Sequence, residues 1–133
     1  MFTVFKDFNF AAAHTIRGHT GNCQNLHEHN YQMRVHVAAE RLDGLGMVID
    51  FADLKAVVGE IAGRFDHRVI NELEPFDERN TTAELLAEYV CHEVQERLGG
   101  LDGDRLAVEQ MEVWKSDSSC AVYTPPLAAG RNR

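Results

Sequence analysis

The stretch NCQNLHEHNYQMRVHV, residues 22–37, carries three of the chain's seven histidines and one of its three cysteines. His27 and His29 are two positions apart. On a strand that spacing projects both imidazoles from one face. His14 ends the preceding alternating run. If the two runs pair as a hairpin, it can sit across from them. Three imidazoles with a fourth position open are the pattern of a catalytic zinc, and imidazole suits zinc best among the abundant ions. The competing reading is a chance H-x-H, with histidines lining a polar rim. Cys23 precedes His27 by four residues. A thiol beside a metal and a histidine can lose its proton and act as base or nucleophile; it can also be a fourth ligand or an inert small residue. Asp66-His67 offers a carboxylate that orients an imidazole. With Cys23 it would make a Cys–His–Asp relay; alone it is a polar pair in a loop. His36 has the opposite parity to His27 and His29 and reads as solvated.

Two other metal patterns fail. Gly21 to His29 opens a cupin-like G-x5-H-x-H, but the positions four and five beyond are Met33 and Arg34 where that pattern wants glutamate. A zinc deaminase needs a paired C-x-x-C, and there is none.

Alternation from Phe2 to His14, with Phe2, Val4, Phe8, Phe10 and Ala12 on one parity, predicts a first strand. Residues 15–26 read as a loop. A second strand starts near His27, with Tyr31, Met33, Val35 and Val37 continuing the face of the histidine pair. The spacing of Phe51, Leu54, Val57, Val58, Ile61 and Phe65 predicts a helix capped by Asp50. Residues 66–79 read as loop. Thr81 and Glu84 have capping-box spacing before a second helix that Gly99-Gly100 ends. Residues 105–116 and 120–123 predict two more strands, and the tail TPPLAAGRNR reads as frayed. Cys91 and Cys120 fall in helix and strand patterns, where buried packing is expected. The order β-β-α-α-β-β is α+β: a four-stranded antiparallel sheet with two helices. Its two exposed edges need cover, and closing a larger barrel through oligomerisation is one solution.

The 133 residues suit one domain over 1–133. The net charge of −8 argues against a nucleic-acid surface. No apolar run is long enough to span a bilayer, and no secretory leader pattern opens the chain, so no membrane partner and a cytoplasmic location are expected. Three widely spaced cysteines are expected to be reduced.

Taken together, FNFAAAHTIRGHTGNCQNLHEHNY resembles the F-x-A-A-H…C-x-x-x-H-G-H-x-Y signature of the 6-pyruvoyl-tetrahydropterin synthase family, which includes the bacterial 6-carboxy-tetrahydropterin synthases of the queuosine pathway. GMVIDFADLK, FDHRVIN, NTTAELLA and the late AVY follow in the family's order, so the likeness runs from residue 2 to about 123. The resemblance implies a tunnelling fold, in which subunits join sheets into barrels as trimers or hexamers with active sites at subunit interfaces. It implies Zn2+ on His14, His27 and His29, a catalytic Cys23 with Asp66 and His67 as its partners, and Thr82 near a pterin ring. It implies a lyase acting on 7,8-dihydroneopterin triphosphate. The zinc would lower the pKa of the substrate's side-chain hydroxyls, and Cys23 and His67 would move protons. In the carboxy branch the side chain is cleaved and acetaldehyde and triphosphate leave; in the pyruvoyl branch triphosphate leaves without that cleavage. Arg17, His19 and Arg68 are candidate phosphate contacts, or solvated loop charges.

Two positions depart from the family. Glu28 stands where the family has glycine between the zinc histidines; its parity points it away from the metal. Lys115 stands where the family's late strand carries a glutamate that accepts hydrogen bonds from the pterin ring. An ammonium has donors only. Either Glu112 or Glu109 takes that role, or the substrate is not a standard pterin. The leading expectation is 6-carboxy-tetrahydropterin synthesis. The alternatives are the pyruvoyl branch, a paralogue with a changed substrate, and a binding paralogue without turnover.

Overall fold

The computed structural model describes residues 1–18 and 25–126. β1 (Phe2–His14) pairs antiparallel with β2 (His27–Ala39) without a slip, from Phe2 opposite Ala39 to His14 opposite His27. α1 (Phe51–Phe65) follows, capped as expected by Asp50, whose Oδ1 accepts from the Ala52 N–H at 2.8 Å. β3 (Arg68–Val69), a turn of 3₁₀ helix (Ile70–Glu72), α2 (Ala83–Asp102), β4 (Ala107–Ser116) and β5 (Ser119–Tyr123) complete the order. The sheet runs β3-β1-β2-β4-β5.

Both helices cover one face of this sheet, α1 against β1 and α2 against β4 and β5. The core therefore collects one parity of each strand: Phe10 and Ala12 from β1, Tyr31, Met33, Val35 and Val37 from β2, Met111 and Val113 from β4. Phe10 stacks on Tyr31 at 5.3 Å and on Phe65 at 5.5 Å. The opposite face is left to polar and charged side chains such as Asp7, Arg34 and Gln32.

The structure differs from the sequence expectation in four places. The sheet has five strands, because Arg68–Val69 pairs parallel with Ala12–Ala13 inside what reads as a loop. Two residues are too few for alternation to show. α2 is capped by Thr82, not Thr81, and continues through Gly99-Gly100 to end at Gly103, whose φ of 60° suits only glycine comfortably. Cys120 is exposed, since it pairs with Trp114 on the outer side of the edge strand; Cys91 is buried as expected, and burial pushes its thiol up to about 11. His36 is not simply solvated: its Nε2 lies 2.5 Å from Glu112 Oε2. The expected fraying of the tail falls largely on residues 127–133, outside the described residues.

Phe65 is fully buried against Phe10, Phe76 and Tyr89 and is the last helical residue before Asp66. Phe65→Ala is expected to cost about 3–5 kcal/mol of stability. Urea unfolding checks this; a loss below about 1 kcal/mol would mean the site collapses around the void.

Candidate functional site

The β1–β2 register puts His14 directly opposite His27 and two rungs of one strand from His29. The three rings lie 4.6–5.1 Å apart between centroids. One nitrogen from each falls within 4.8 Å of the others. Among the described residues they form the one His, Cys or carboxylate group so arranged.

Their hydrogen bonds set the protons. The Thr81 hydroxyl donates to the Thr15 carbonyl at 3.1 Å. It therefore accepts, at 2.9 Å, from His14 Nδ1–H, as does the Thr81 carbonyl at 3.1 Å. This leaves Nε2 of His14 without a proton. His27 Nδ1 lies 2.6 Å from the Asn25 carbonyl, which holds that ring the same way. Nε2 of His14 and Nε2 of His29 are buried with no hydrogen-bond partner among the described residues. A buried polar atom left unpaired costs about 1–3 kcal/mol. Burial first, then the nearby Lys115 charge, lowers the His14 pKa to about 4 and lowers that of His29 in the same direction. Neutral imidazoles with free lone pairs, two of them steadied through their Nδ1, are what a metal requires. The residues present thus fit a bound cation. Tyr31 packs edge-on against His14 and His29, and its buried hydroxyl also has no partner among the described residues.

The turn beyond His14 is held by side chains acting as backbone. Asn71 accepts from the Thr15 N–H at 2.8 Å and donates to the Thr15 carbonyl at 2.9 Å; Asn80 does the same for Arg17 at 2.8 and 3.0 Å. The Arg17 guanidinium donates to the carbonyls of Phe76, Asp77 and Arg79, so it is a staple of the 76–79 loop rather than a free phosphate contact. Arg68 is exposed on β3, while His19 and Cys23 lie outside the described residues.

Asp66 and His67 are adjacent, with 3.7 Å between Asp66 Oδ2 and His67 Nε2. They are not brought to the histidine cluster. Asp66 Oδ1 accepts from the Ala11 N–H, and the His67 N–H donates to the Ala11 carbonyl. The pair lines a cavity of about 450 Å³ together with Asn9, Asn30 and Gln32, which belong to the outer face of the sheet. The three histidines belong to the helix-covered face.

Lys115 is half-buried near the end of β4, one residue beyond Trp114, which pairs with Gln32. It lines a second cavity, of about 410 Å³, with Glu84 of α2 and Ser119 and Cys120 of β5. Neither other glutamate of β4 can stand in for it. Glu112 is on the outer face, held by His36 and by the Trp114 indole N–H at 3.0 Å. A bulge between His36 and Val37 turns Glu109 to the outer face as well, where it accepts from Thr3. Equal strand parity with Lys115 does not survive that bulge. Glu28 is exposed, as its parity implies.

Thr82 starts α2, its hydroxyl accepting from the Leu85 N–H at 3.2 Å. Sequence reasoning read Thr81 as that cap and missed its grip on His14. The signal was present in the Thr-Thr doublet: two candidate caps leave one hydroxyl for another task. The cap at Thr82 also moves Glu84 out of the capping-box position and frees its carboxylate.

Thr81→Val removes the hydroxyl that orients His14 without touching the cap. Zinc affinity, measured by competition with a chelating dye, is expected to fall about 10–100-fold. Unchanged affinity would show that the Thr81 carbonyl alone fixes the ring.

A family model described as 6-pyruvoyl tetrahydropterin synthase matches residues 3–126. Proteins named 6-carboxy-5,6,7,8-tetrahydropterin synthase resemble the chain over most of its length. That of Haemophilus influenzae is 30% identical, with 92% of this chain and 99% of the relative covered. That of Synechocystis is 32% identical, with 95% of each covered. That of Bacillus subtilis is 34% identical, with 93% and 86% covered. The solved structure of Caenorhabditis elegans 6-pyruvoyl tetrahydropterin synthase superposes with a TM-score of 0.82 over 94% of this chain and 96% of that one, at 22% identity.

Proposed function

The chain belongs to the 6-pyruvoyl tetrahydropterin synthase family, and on that premise we propose that it is a single-domain, zinc-dependent lyase. It converts 7,8-dihydroneopterin triphosphate to 6-carboxy-5,6,7,8-tetrahydropterin, with release of acetaldehyde and triphosphate. The observation that carries this reading is the cluster of His14, His27 and His29, whose ligand nitrogens lie within 4.8 Å of one another. The full-length relatives named for the carboxy product favour that branch over the pyruvoyl one.

His14, His27 and His29 would hold the metal, which supplies Lewis-acid polarisation of the substrate's oxygens when bound. The remaining chemistry belongs to the chain. Cys23, as thiolate, takes and returns a proton on the substrate side chain. His67 serves the other proton transfers, and Asp66 restrains it. Thr82 and Lys115 face the ring. Asp66 and His67 open on the outer face of their own sheet, so in this reading a neighbouring copy delivers them. That requires an oligomer whose sheets join into a barrel with the sites between subunits.

Two experiments decide this. Zinc-loaded protein is incubated with 7,8-dihydroneopterin triphosphate and the products are weighed by mass spectrometry; the carboxy product is expected, and no turnover with zinc confirmed bound sinks the proposal. Cys23→Ala and His67→Ala are each expected to lower kcat by about 10²–10⁴. Mixed oligomers refolded from the two inactive variants are expected to regain activity that neither has. No recovery would mean that one chain supplies both groups.

A further inference from the structure

Three buried side-chain atoms have no hydrogen-bond partner among the described residues: Nε2 of His14, Nε2 of His29 and the hydroxyl of Tyr31. The two nitrogens are explained as ligands of a cation. The phenol is not. Tyr31 is fully buried, and alternation sets it two residues beyond His29 on the same face of β2. Its ring stands edge-on to His14 at 5.8 Å and to His29 at 5.6 Å between centroids, and stacks on Phe10. The other buried polar side chains do not serve it. Glu112 lies on the outer face, and the Thr81 hydroxyl and carbonyl are engaged with His14 and Thr15. No hydrogen bond joins the phenol to either ligand nitrogen. A buried hydroxyl left unpaired is costly, and one at the border of a metal cluster calls for a reason.

We propose that the Tyr31 hydroxyl is a hydrogen-bond donor kept for the oxygen atom of a ligand that completes the coordination of a cation on His14, His27 and His29. The inference rests on the metal reading above and deepens it, since in that reading the oxygen belongs to the substrate's side chain. The imidazoles themselves have no donor to offer such an oxygen. Their lone pairs go to the cation, and the Nδ1 groups of His14 and His27 are turned to Thr81 and to the Asn25 carbonyl. The phenol is the one buried donor among the described residues left without an acceptor. It keeps its proton at neutral pH and has a single O–H to give. A donor fixed in advance where negative charge develops needs no reorganisation, and it acts more strongly in a site shut off from water. Packing alone does not account for the hydroxyl, because a phenylalanine ring would stack on Phe10 equally well.

The test uses protein loaded with Co2+, whose visible spectrum reports what joins the metal. Two probes differ in the atom they bring. Acetohydroxamate binds through oxygens that can accept a hydrogen bond, whereas bound imidazole has no acceptor left. Tyr31→Phe is expected to weaken acetohydroxamate by about tenfold and to leave imidazole unchanged. Without metal, the same variant is expected to melt about 2–8 °C higher, because a buried hydroxyl without a partner has been removed. Weakening of both probes alike, or of neither, overturns the proposal. So does a lower melting temperature of the metal-free variant, or its failure to fold, since either would mean that the hydroxyl already has a partner. If the unaltered protein binds neither Co2+ nor Zn2+, the metal reading and the donor fall together. If metal binds and dihydroneopterin triphosphate is turned over while the probes respond alike, the donor alone falls.

Discussion

The unbroken pairing of the two 13-residue strands β1 and β2 is the constraint on which the site depends. Side chains alternate along a strand, so a slip of one residue would send every histidine of one strand to the opposite face. The register is set by Phe10, Tyr31, Met33, Val35 and Val37 packing under the helices, with Tyr31 at the border of the histidine cluster. The hydrophobic core therefore positions the polar site. His14, His27 and His29 are the continuation of an apolar face past the point where the core ends, and their convergence is a consequence of the same alternation.

A cluster of one buried and two half-buried imidazoles is costly unless something holds it neutral and oriented. Here the side chains that hold the turn beyond His14 come from the 71–81 segment. Asn71, Asn80 and Thr81 replace a missing strand partner beyond His14, satisfying the backbone of Thr15 and Arg17 and the ring of His14 at once. The Lys115 charge acts in the same direction as burial, disfavouring protonated imidazole. Nε2 of His14 and Nε2 of His29 stay buried without a hydrogen-bond partner among the described residues, which suits them to a cation.

The sheet also divides the chemistry. Its helix-covered face carries the histidines, and its outer face carries the Asp66–His67 cavity, the Asp7–Arg34 ion pair and the His36–Glu112–Trp114 cluster. The Asp66–His67 pair and the histidine cluster are thus separated within one chain by the thickness of a sheet. Edge strands at both ends, β3 and β5, leave that sheet open to extension by other copies.

The sequence by itself determined the long elements and brought out the three histidines that cluster. Period-two alternation over β1 and β2 and helical spacing over α1 are strong local signals, and H-x-H on a strand leaves little freedom in where the rings point. It also carried the family likeness, through residues spread along nearly the whole chain. Only the tertiary structure decided the rest. A two-residue parallel strand has no period to read. The choice between Thr81 and Thr82 as cap turns on which hydroxyl is near His14, a residue 67 positions away in the chain. The bulge that turns Glu109 outward is a fact about β2 as much as β4. Whether His36 meets water or Glu112 depends on a partner 76 residues distant. Each of these is a long-range pairing, and local pattern holds no record of which distant side chain will arrive.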